Sequence, residues 1–563
     1  MLESVEAEVL SARAQYLTAH PAGQLHHLGA DSAALWPKLD HLLYLPILGL
    51  IRPRDLYYYQ GAGLAALYGF TYKYITLEHF LGQLTRVQVS AALAERLARV
   101  YAQAWYPGAE ALLIFADWHS KPHWTTAYSH AGHVTMWGRV MPGTKQLLIT
   151  GPQGRLLGGW NYAIDTHLSH ILVDLEVALA QTLQRPIACT ITDSEGGGLP
   201  LGERYAASGQ PYISILPQEH AYHRADFVLE SAWEVVKEDA DHMAAFARWA
   251  DAERAAAEPR QFVLLRPVNQ AEPTRIYTGR FAADWRAGDV PWLHRQRWAY
   301  NERRIRDLIN GANLNANFGY TYQEVPQRTR QREWAAAQAQ VDSTERQLGD
   351  HSAAVRNLRQ GLRALQDAYA TTQRDLAQQL AHQQWELRER QRSGRNVKRA
   401  RQRVAALCRQ LADHTTRFRR RQRRLLQKLQ QRENETPQLR QRLAQRIRAR
   451  EAIDTATLCR ERDLEKDQAM LNLQILLGNL HDWAAENYFA PEWRTLSLEK
   501  ATQMIYRKAG RVTWYTDRIE VELTPYRYAD QQRAMEATCA RFNAAQLHWR
   551  DGRALHISVA TAD

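Results

Sequence analysis

The sequence predicts an α/β fold around a central sheet, lengthened by a coiled coil, and three observations carry that prediction. Two short apolar runs, residues 111–116 (ALLIFA) and 187–192 (IACTIT), each lead into an aspartate, Asp117 and Asp193. Strand-like and helix-like patterns alternate between residues 109 and 215, as in sheets flanked by helices. Apolar residues recur every seven positions without a break from Trp334 to Leu376, the mark of a coiled coil.

Taken in order, residues 1–108 predict a helical domain, suited to DNA binding or dimerisation. Stretches 81–89 and 93–104 carry apolar side chains at helical spacing, and 57–63 (YYYQGAG) marks a loop or helix junction. Pro107-Gly108 closes the segment. The 111–116 run is too short for a helix and is bounded by turn residues, so it predicts a buried strand. Further strands are expected near 123–128, 134–140 and 145–150. A helix near 169–183 precedes the strand that leads to Asp193, a second follows Gly198-Leu-Pro200, and 212–216 closes the series. Three strands, a helix, a strand, a helix and a strand is the order of a ribonuclease-H-like core; one early candidate is surplus and is expected to be a loop. Residues 224–285 predict an inserted β-containing module, with strands at 261–266 (QFVLLR) and 275–280 (RIYTGR). A helical pattern at 291–310 then ends near Gly311, within a core of residues 109–326.

Residues 327–475 predict the coiled coil. Trp334, Val341, Leu348, Val355, Leu362, Tyr369 and Leu376 share one heptad position, Leu358 and Leu365 fill the second, and the spacing returns at Val397, Val404, Leu411, Phe418 and Leu425. Breaks are expected at Ser393-Gly394 and at 434–437 (NETP), which leaves an antiparallel hairpin and a parallel dimer both open. Residues 476–563 predict a small α+β domain, with strands at 518–524 and 554–559 around a helix near 530–543.

Composition bounds the function. An apolar content of 45% supports ordinary cores, and no run approaches the ~18 apolar residues of a membrane span. The acidic start is unlike a signal peptide. Four scattered cysteines suit neither a disulfide framework nor a zinc module. The expected location is the cytoplasm. The chain carries a net charge of +12. Residues 388–428 hold 16 Lys and Arg against two acids. A solvated helix face would mix signs, whereas a single sign, mostly arginine, points to a polyanion such as double-stranded DNA.

Two aspartates at the ends of neighbouring strands, in a basic chain, point to metal-assisted phosphodiester chemistry. Such chemistry uses two ions about 3.5–4 Å apart, and oxygen-only ligands select Mg2+ or Mn2+, two per site. A third carboxylate is expected from a helix beside the sheet, and Glu302 in Trp298-Ala-Tyr-Asn-Glu302 fits. These two Asp segments, together with 297–302 (RWAYNE) and 313–320 (NLNANFGY), resemble bacterial insertion-sequence transposases of the Asp–Asp–Glu type, most closely over residues 109–350. That resemblance implies a ribonuclease-H-like catalytic core, two divalent metals and a triad of Asp117, Asp193 and Glu302. It also implies recognition of transposon ends, strand cleavage and transfer to target DNA, with two ends held by a dimer or larger assembly at the bacterial nucleoid. Arg295, Trp298 and Ile309 stand where one branch of such enzymes has the Tyr, Arg and Lys of a Tyr–Arg–Glu–Lys signature, so no hairpin-forming step is implied.

Each residue also has a structural alternative. Asp117 fits a turn cap before Pro122, Asp193 an N-cap, and Glu302 an ion pair with Arg306. Glu195 is the reserve ligand, otherwise a solvent-facing turn residue, and Glu324 is the second choice for the place of Glu302. His119, His123, His130 and His133 lack a cysteine partner and the geometry of a zinc site; His119 is instead a candidate phosphate contact. The 196–198 triple glycine lacks a nucleotide-loop ending and reads as a flexible turn. Trp298 suits base stacking or core packing. Arg303, Arg304 and Arg306, and on the coil Arg419, Arg420, Arg421, Arg423 and Arg424, are candidate DNA-backbone contacts. A structure-specific nuclease and a non-catalytic DNA-binding scaffold remain as alternatives to a transposase.

Overall fold

A computed structural model describes residues 1–59, 68, 70–125, 128, 130–217, 222–318 and 322–561. The chain forms two compact units, Met1–Gln323 with Arg460–Asp563, and Glu324–Cys459. Of the expected junction at 57–63, Tyr57 and Tyr58 end a 3-10 turn, Pro53–Tyr58, and Gln60 to Gly63 lie outside the described residues.

In the first unit, helices α1 (Leu2–Ala19), α2 (Ser32–Leu43), α3 (Tyr74–Arg86) and α4 (Ser90–Trp105) come first. The apolar stripe of α3 buries Leu77, Phe80, Leu81 and Leu84, and that of α4 buries Leu93, Leu97 and Tyr101. This three-to-four residue spacing is what drives a helix onto a core.

Strand β1 (Leu112–Pro122) runs well past its apolar stretch, so Asp117 sits within the strand rather than at its end. A short ribbon of β2 (Gly132–Val134) and β3 (Arg139–Met141) follows, then β4 (Gly143–Thr150) and β5 (Leu156–Ala163). Helix α5 (Leu168–Leu183), β6 (Ile187–Ile191), α6 (Leu199–Ser208) and β7 (Tyr212–Ile215) complete this half of the sheet. The order is β5-β4-β1-β6-β7, with β5, β4 and β1 antiparallel and β1, β6 and β7 parallel. Two expectations are corrected. No strand forms over 123–125 or at 128 (126 and 127 lie outside the described residues), and 134–140 is the ribbon with its turn. The third sheet strand is β5, whose Gly158-Gly159 pair weakens the strand signal. At Gly159 a Cβ would meet Ile475 and Leu148 side chains at 2.8 Å.

The inserted residues extend the same sheet. Strands β8 (Phe227–Leu229), β9 (Glu234–Val236), β10 (Asp239–Trp249), β11 (Gln261–Pro267) and β12 (Arg275–Arg280) follow, and β12 pairs antiparallel with β7. Helix α7 (Asp289–Arg297) then passes through one π turn, Trp298–Glu302, into α8 (Arg303–Gly311). The chain leaves through β13 (Tyr322–Pro326).

The second unit is a helical hairpin. Helices α9 (Arg328–Arg392) and α10 (Lys398–Glu451) are joined at Ser393-Gly394, where Gly394 takes a φ of +67°. At 1.5 Å per residue α9 spans about 100 Å. The pair is antiparallel: His351 Nε2 donates to Arg432 O at 2.7 Å, Tyr369 stacks on Phe418 at 3.9 Å, and Arg450 Nη1 donates to Gln338 Oε1 at 2.8 Å. Val341 is buried and the later heptad residues of α9 are half-buried, while Trp334 is exposed and lies off the seam. The break expected at 434–437 does not occur; α10 continues through Pro437. Residues 328–451 hold 30 Lys and Arg against 12 Asp and Glu. That excess is larger than the whole chain's +12, so the remainder is net acidic.

After β14 (Leu458–Arg462), helix α11 (Glu465–Asn487) belongs to the first unit. It crosses the boundary expected at 475 and is buried along most of its length, packing against α2, α3, α4, α8 and β5. Strands β15 (Gly510–Trp514) and β16 (Arg518–Leu523), helix α12 (Ala529–Ala544) and β17 (Ala554–Val559) form a three-stranded sheet with its helix. Among the described residues no helix is long and apolar enough to cross a membrane.

Candidate active site

Alternation along β1 places Phe115, Asp117, His119 and Lys121 on one face. The π turn packs against that face. Asn301 is fully buried there and its Nδ2 donates to Phe115 O at 2.8 Å, and Tyr300 meets the Phe115 ring edge-on at 5.6 Å. Gly154, at a φ of +74°, lets the β4–β5 turn approach the Tyr300 carbonyl, which a Cβ would meet at 3.1 Å. Helix α7 is tied to the end of β6 by His294, whose Nε2 donates to Thr192 O at 3.0 Å. Burial, with Arg297 nearby, pushes His294 down to about 3, so it is neutral.

These ties set the Arg297 guanidinium between Asp117 and Glu302, with Asp193 near enough to feel its charge. Arg297 Nη1 lies 2.6 Å from Asp117 Oδ2, and Nη2 bonds Glu302 Oε1. Asp117 also accepts from the Trp118 N–H at 2.8 Å, and Asp193 from the Glu195 N–H at 3.0 Å. Burial pushes Asp117 up to about 7; Arg297 opposes the shift, while Asp193 and Glu302 add to it. Burial raises Asp193 as well, again against Arg297 and with help from Glu195 and Glu302. Three carboxylates against one guanidinium leave a surplus of negative charge in a poorly solvated place. An all-oxygen set with that surplus suits hard divalent cations. Among the described residues no group of three or more His, Cys, Asp or Glu side chains is placed to hold a metal ion; Arg297 stands between Asp117 and Glu302.

The remaining candidates divide. Trp298 is 54% exposed, so the packing role fails and its ring is open to a partner. Arg303 and Arg306 are exposed on α8. Glu302 pairs with Arg297 rather than Arg306. Arg304 is committed inside the protein, to Asp307 at 2.9 Å, Gly478 O at 3.0 Å and Asp482, which removes it as a DNA contact. His119 is buried and donates from Nε2 to Asn315 Oδ1 at 2.6 Å. Burial holds it near 4, neutral, so it is not placed to meet a phosphate. Glu195 is part-exposed but committed: it accepts from the Leu168 N–H and from Trp118 Nε1, both at 3.1 Å, at the start of α5. Glu324 is exposed on β13. The glycines after Asp193 form a packed turn rather than a flexible one, since a Cβ on Gly197 would run into the Ile215 carbonyl. Arg419, Arg420, Arg421, Arg423 and Arg424 are exposed on α10.

Arg297 is a site residue that the sequence does not single out. It stands five positions before Glu302, a spacing that faces away on an α-helix, and only the π turn aligns the two.

Further along the same face of β1 lies a second buried ionic cluster. Lys121 Nζ is 3.1 Å and Arg462 Nη2 2.7 Å from Asp467, and Arg462 Nη1 donates to Asn317 Oδ1 at 2.8 Å beside the His123 ring. Of the alternating asparagines in the NLNANF segment, Asn315 thus meets β1 at His119 and Asn317 meets the second cluster at Arg462.

Compared with known proteins, the chain matches no family model and no curated protein.

Proposed function

We propose that this protein is an Asp–Asp–Glu DNA transposase with a ribonuclease-H-like core. The observation that carries the reading is the approach of Asp117, Asp193 and Glu302, from β1, the turn after β6 and the π turn, to one acidic spot, with Glu302 at its part-exposed rim. The strand order, with three antiparallel strands followed by two parallel ones, supports the same reading. Asp117, Asp193 and Glu302 are the residues that would hold Mg2+ or Mn2+. Two such ions would activate the attacking oxygen and stabilise the departing one. Water attacks phosphorus at the transposon end as the P–O3′ bond breaks, leaving a 3′ hydroxyl and a 5′ phosphate. That hydroxyl then attacks a target phosphodiester and expels the target's 3′ oxygen. Trp298, Arg303 and Arg306, exposed beside Glu302, are the contacts for end DNA, and the arginines of α10 add sequence-independent grip. Two ends require two copies of the chain, and the bacterial nucleoid is the fitting location.

Incubating the protein with Mg2+, labelled end DNA and a plasmid tests this. Joined products are expected; cleavage alone means a nuclease, and binding without cleavage means a scaffold. Replacing Arg419, Arg420, Arg421, Arg423 and Arg424 by Gln should weaken DNA binding for all sequences. It should also flatten log K against log salt by up to about 0.9 for each phosphate that is no longer neutralised. An unchanged slope would remove α10 from the interface.

A further inference from the structure

We propose that Arg297 is a resident cation of the carboxylate site, so that a divalent ion binds by exchanging with its guanidinium. The inference rests on the carboxylates being a metal site, as proposed above. Positions five apart on an α-helix point roughly 140° from each other. Between Arg297 and Glu302 the helix instead makes its π turn, closed by the Arg303 N–H on Trp298 O, five residues back. One extra residue in the turn brings Arg297 and Glu302 to the same side. The guanidinium then bridges outward, Nη1 to Asp117 at 2.6 Å and Nη2 to Glu302.

Arg297 and Asp117 stand 180 residues apart in sequence. The guanidinium joins an Asp117 oxygen on the strand to a Glu302 oxygen on the helix, two of the side chains that would hold an ion here. A planar fork with two donors spans it in fixed geometry, which a lysine ammonium does not do. The Arg297 side chain is 12% exposed, so it is a built part of the site rather than a loose surface charge. Guanidinium and ion cannot both hold the same carboxylate oxygens. Loading the site therefore releases a buried arginine, and a DNA phosphate, which arginine fits bidentately, is the replacement partner beside it. Metal uptake is accordingly weak in the DNA-free protein.

The test measures Mn2+ binding from the free-ion EPR signal, with thermal melts alongside, on DNA-free full-length protein. Wild type is compared with R297Q, R297K, D117N and R297Q/D117N. R297Q is expected to bind Mn2+ at least about tenfold more tightly than wild type, and to gain more melting temperature from it. R297K keeps the charge but cannot bridge two carboxylates, so it too should bind more tightly than wild type. Equal affinity of R297K and wild type would reduce Arg297 to a nearby charge and overturn the exchange. So would an unchanged or weaker affinity in R297Q. If D117N leaves Mn2+ binding intact in both backgrounds, the carboxylates are not a metal site and the functional reading itself falls.

Discussion

At Asp117 strand β1 carries a carboxylate among carboxylates, whereas four residues on, at Lys121, it carries an ammonium paired with Asp467. Both places are buried, both lie on the same face, and each has an arginine at hand. At the first, one guanidinium pairs with Asp117 and Glu302 while Asp193 stands nearby, and Asp117 is pushed up to about 7. At the second, burial acts to raise Asp467, but Lys121 and Arg462 together hold it below its ordinary value. The lesson concerns charge balance. A cluster whose acid has all the cations it needs fixes the fold, while one left with spare acids has the charge that the proposed metal ions would balance.

The sharpest test of that contrast is to neutralise one acid at each end. Asp117→Asn is expected to lower strand cleavage by about 10³-fold, since metal-borne stabilisation supplies several kcal/mol, while the melting temperature holds or rises. A cleavage rate within tenfold of wild type would dissolve the distinction. Asp467→Ala should do the reverse and cost about 3–5 kcal/mol in urea unfolding, because it strands Lys121 and Arg462 without their acid. A loss under about 1 kcal/mol, the scale of an ordinary exposed pair, would mean the cluster is not the structural one.

Acidity separates the two ends next. Asp117 in the folded protein keeps a proton that the unfolded chain gives up near the ordinary 3.8. Its ionisation therefore costs stability, and between about pH 4 and 7 stability falls as pH rises. Asp117→Asn should flatten that slope. Asp467, held low, contributes stability present above the ordinary 3.8 and lost as pH drops through its folded value. Unfolding curves from pH 3 to 8 on the two variants check both signs. The smallest effect is expected at Asn301→Ala, which frees the π turn from Phe115 O. It should cost about 1–3 kcal/mol and weaken Mn2+ binding through Glu302; stability loss with intact metal binding would show that Asn301 packs without positioning.

Much of this was legible in the residues. Apolar runs located β1 and β6, and the alternation of elements with the Gly198-Leu-Pro200 turn located α5 and α6, because those signals are local. The heptads gave α9 and α10 but not their direction, which depends on pairings such as His351 with Arg432. β5 escaped because its glycines serve α11, whose Gln468 donates to Gly159 O from 309 residues further on. The polar residues 117–121 showed no partner in sequence; Asp467, on α11, supplies one only in the fold. The acids at 117, 193 and 302 could be picked out by type and setting. Arg297 could not, since nothing in WAYNE announces an added residue in the helical turn.

The hairpin of α9 and α10 has a consequence for how this protein could vary. Its feet meet: the Gln327 N–H donates to Thr457 O at 2.9 Å. An excursion of more than a hundred residues thus returns to its starting point, and closure costs little more whatever its length. Seven residues inserted or removed on each helix would keep the seam in phase. Reach is therefore a quantity that evolution, or an engineer, can dial in steps of about 10 Å while every other part of the polypeptide meets the same two stumps.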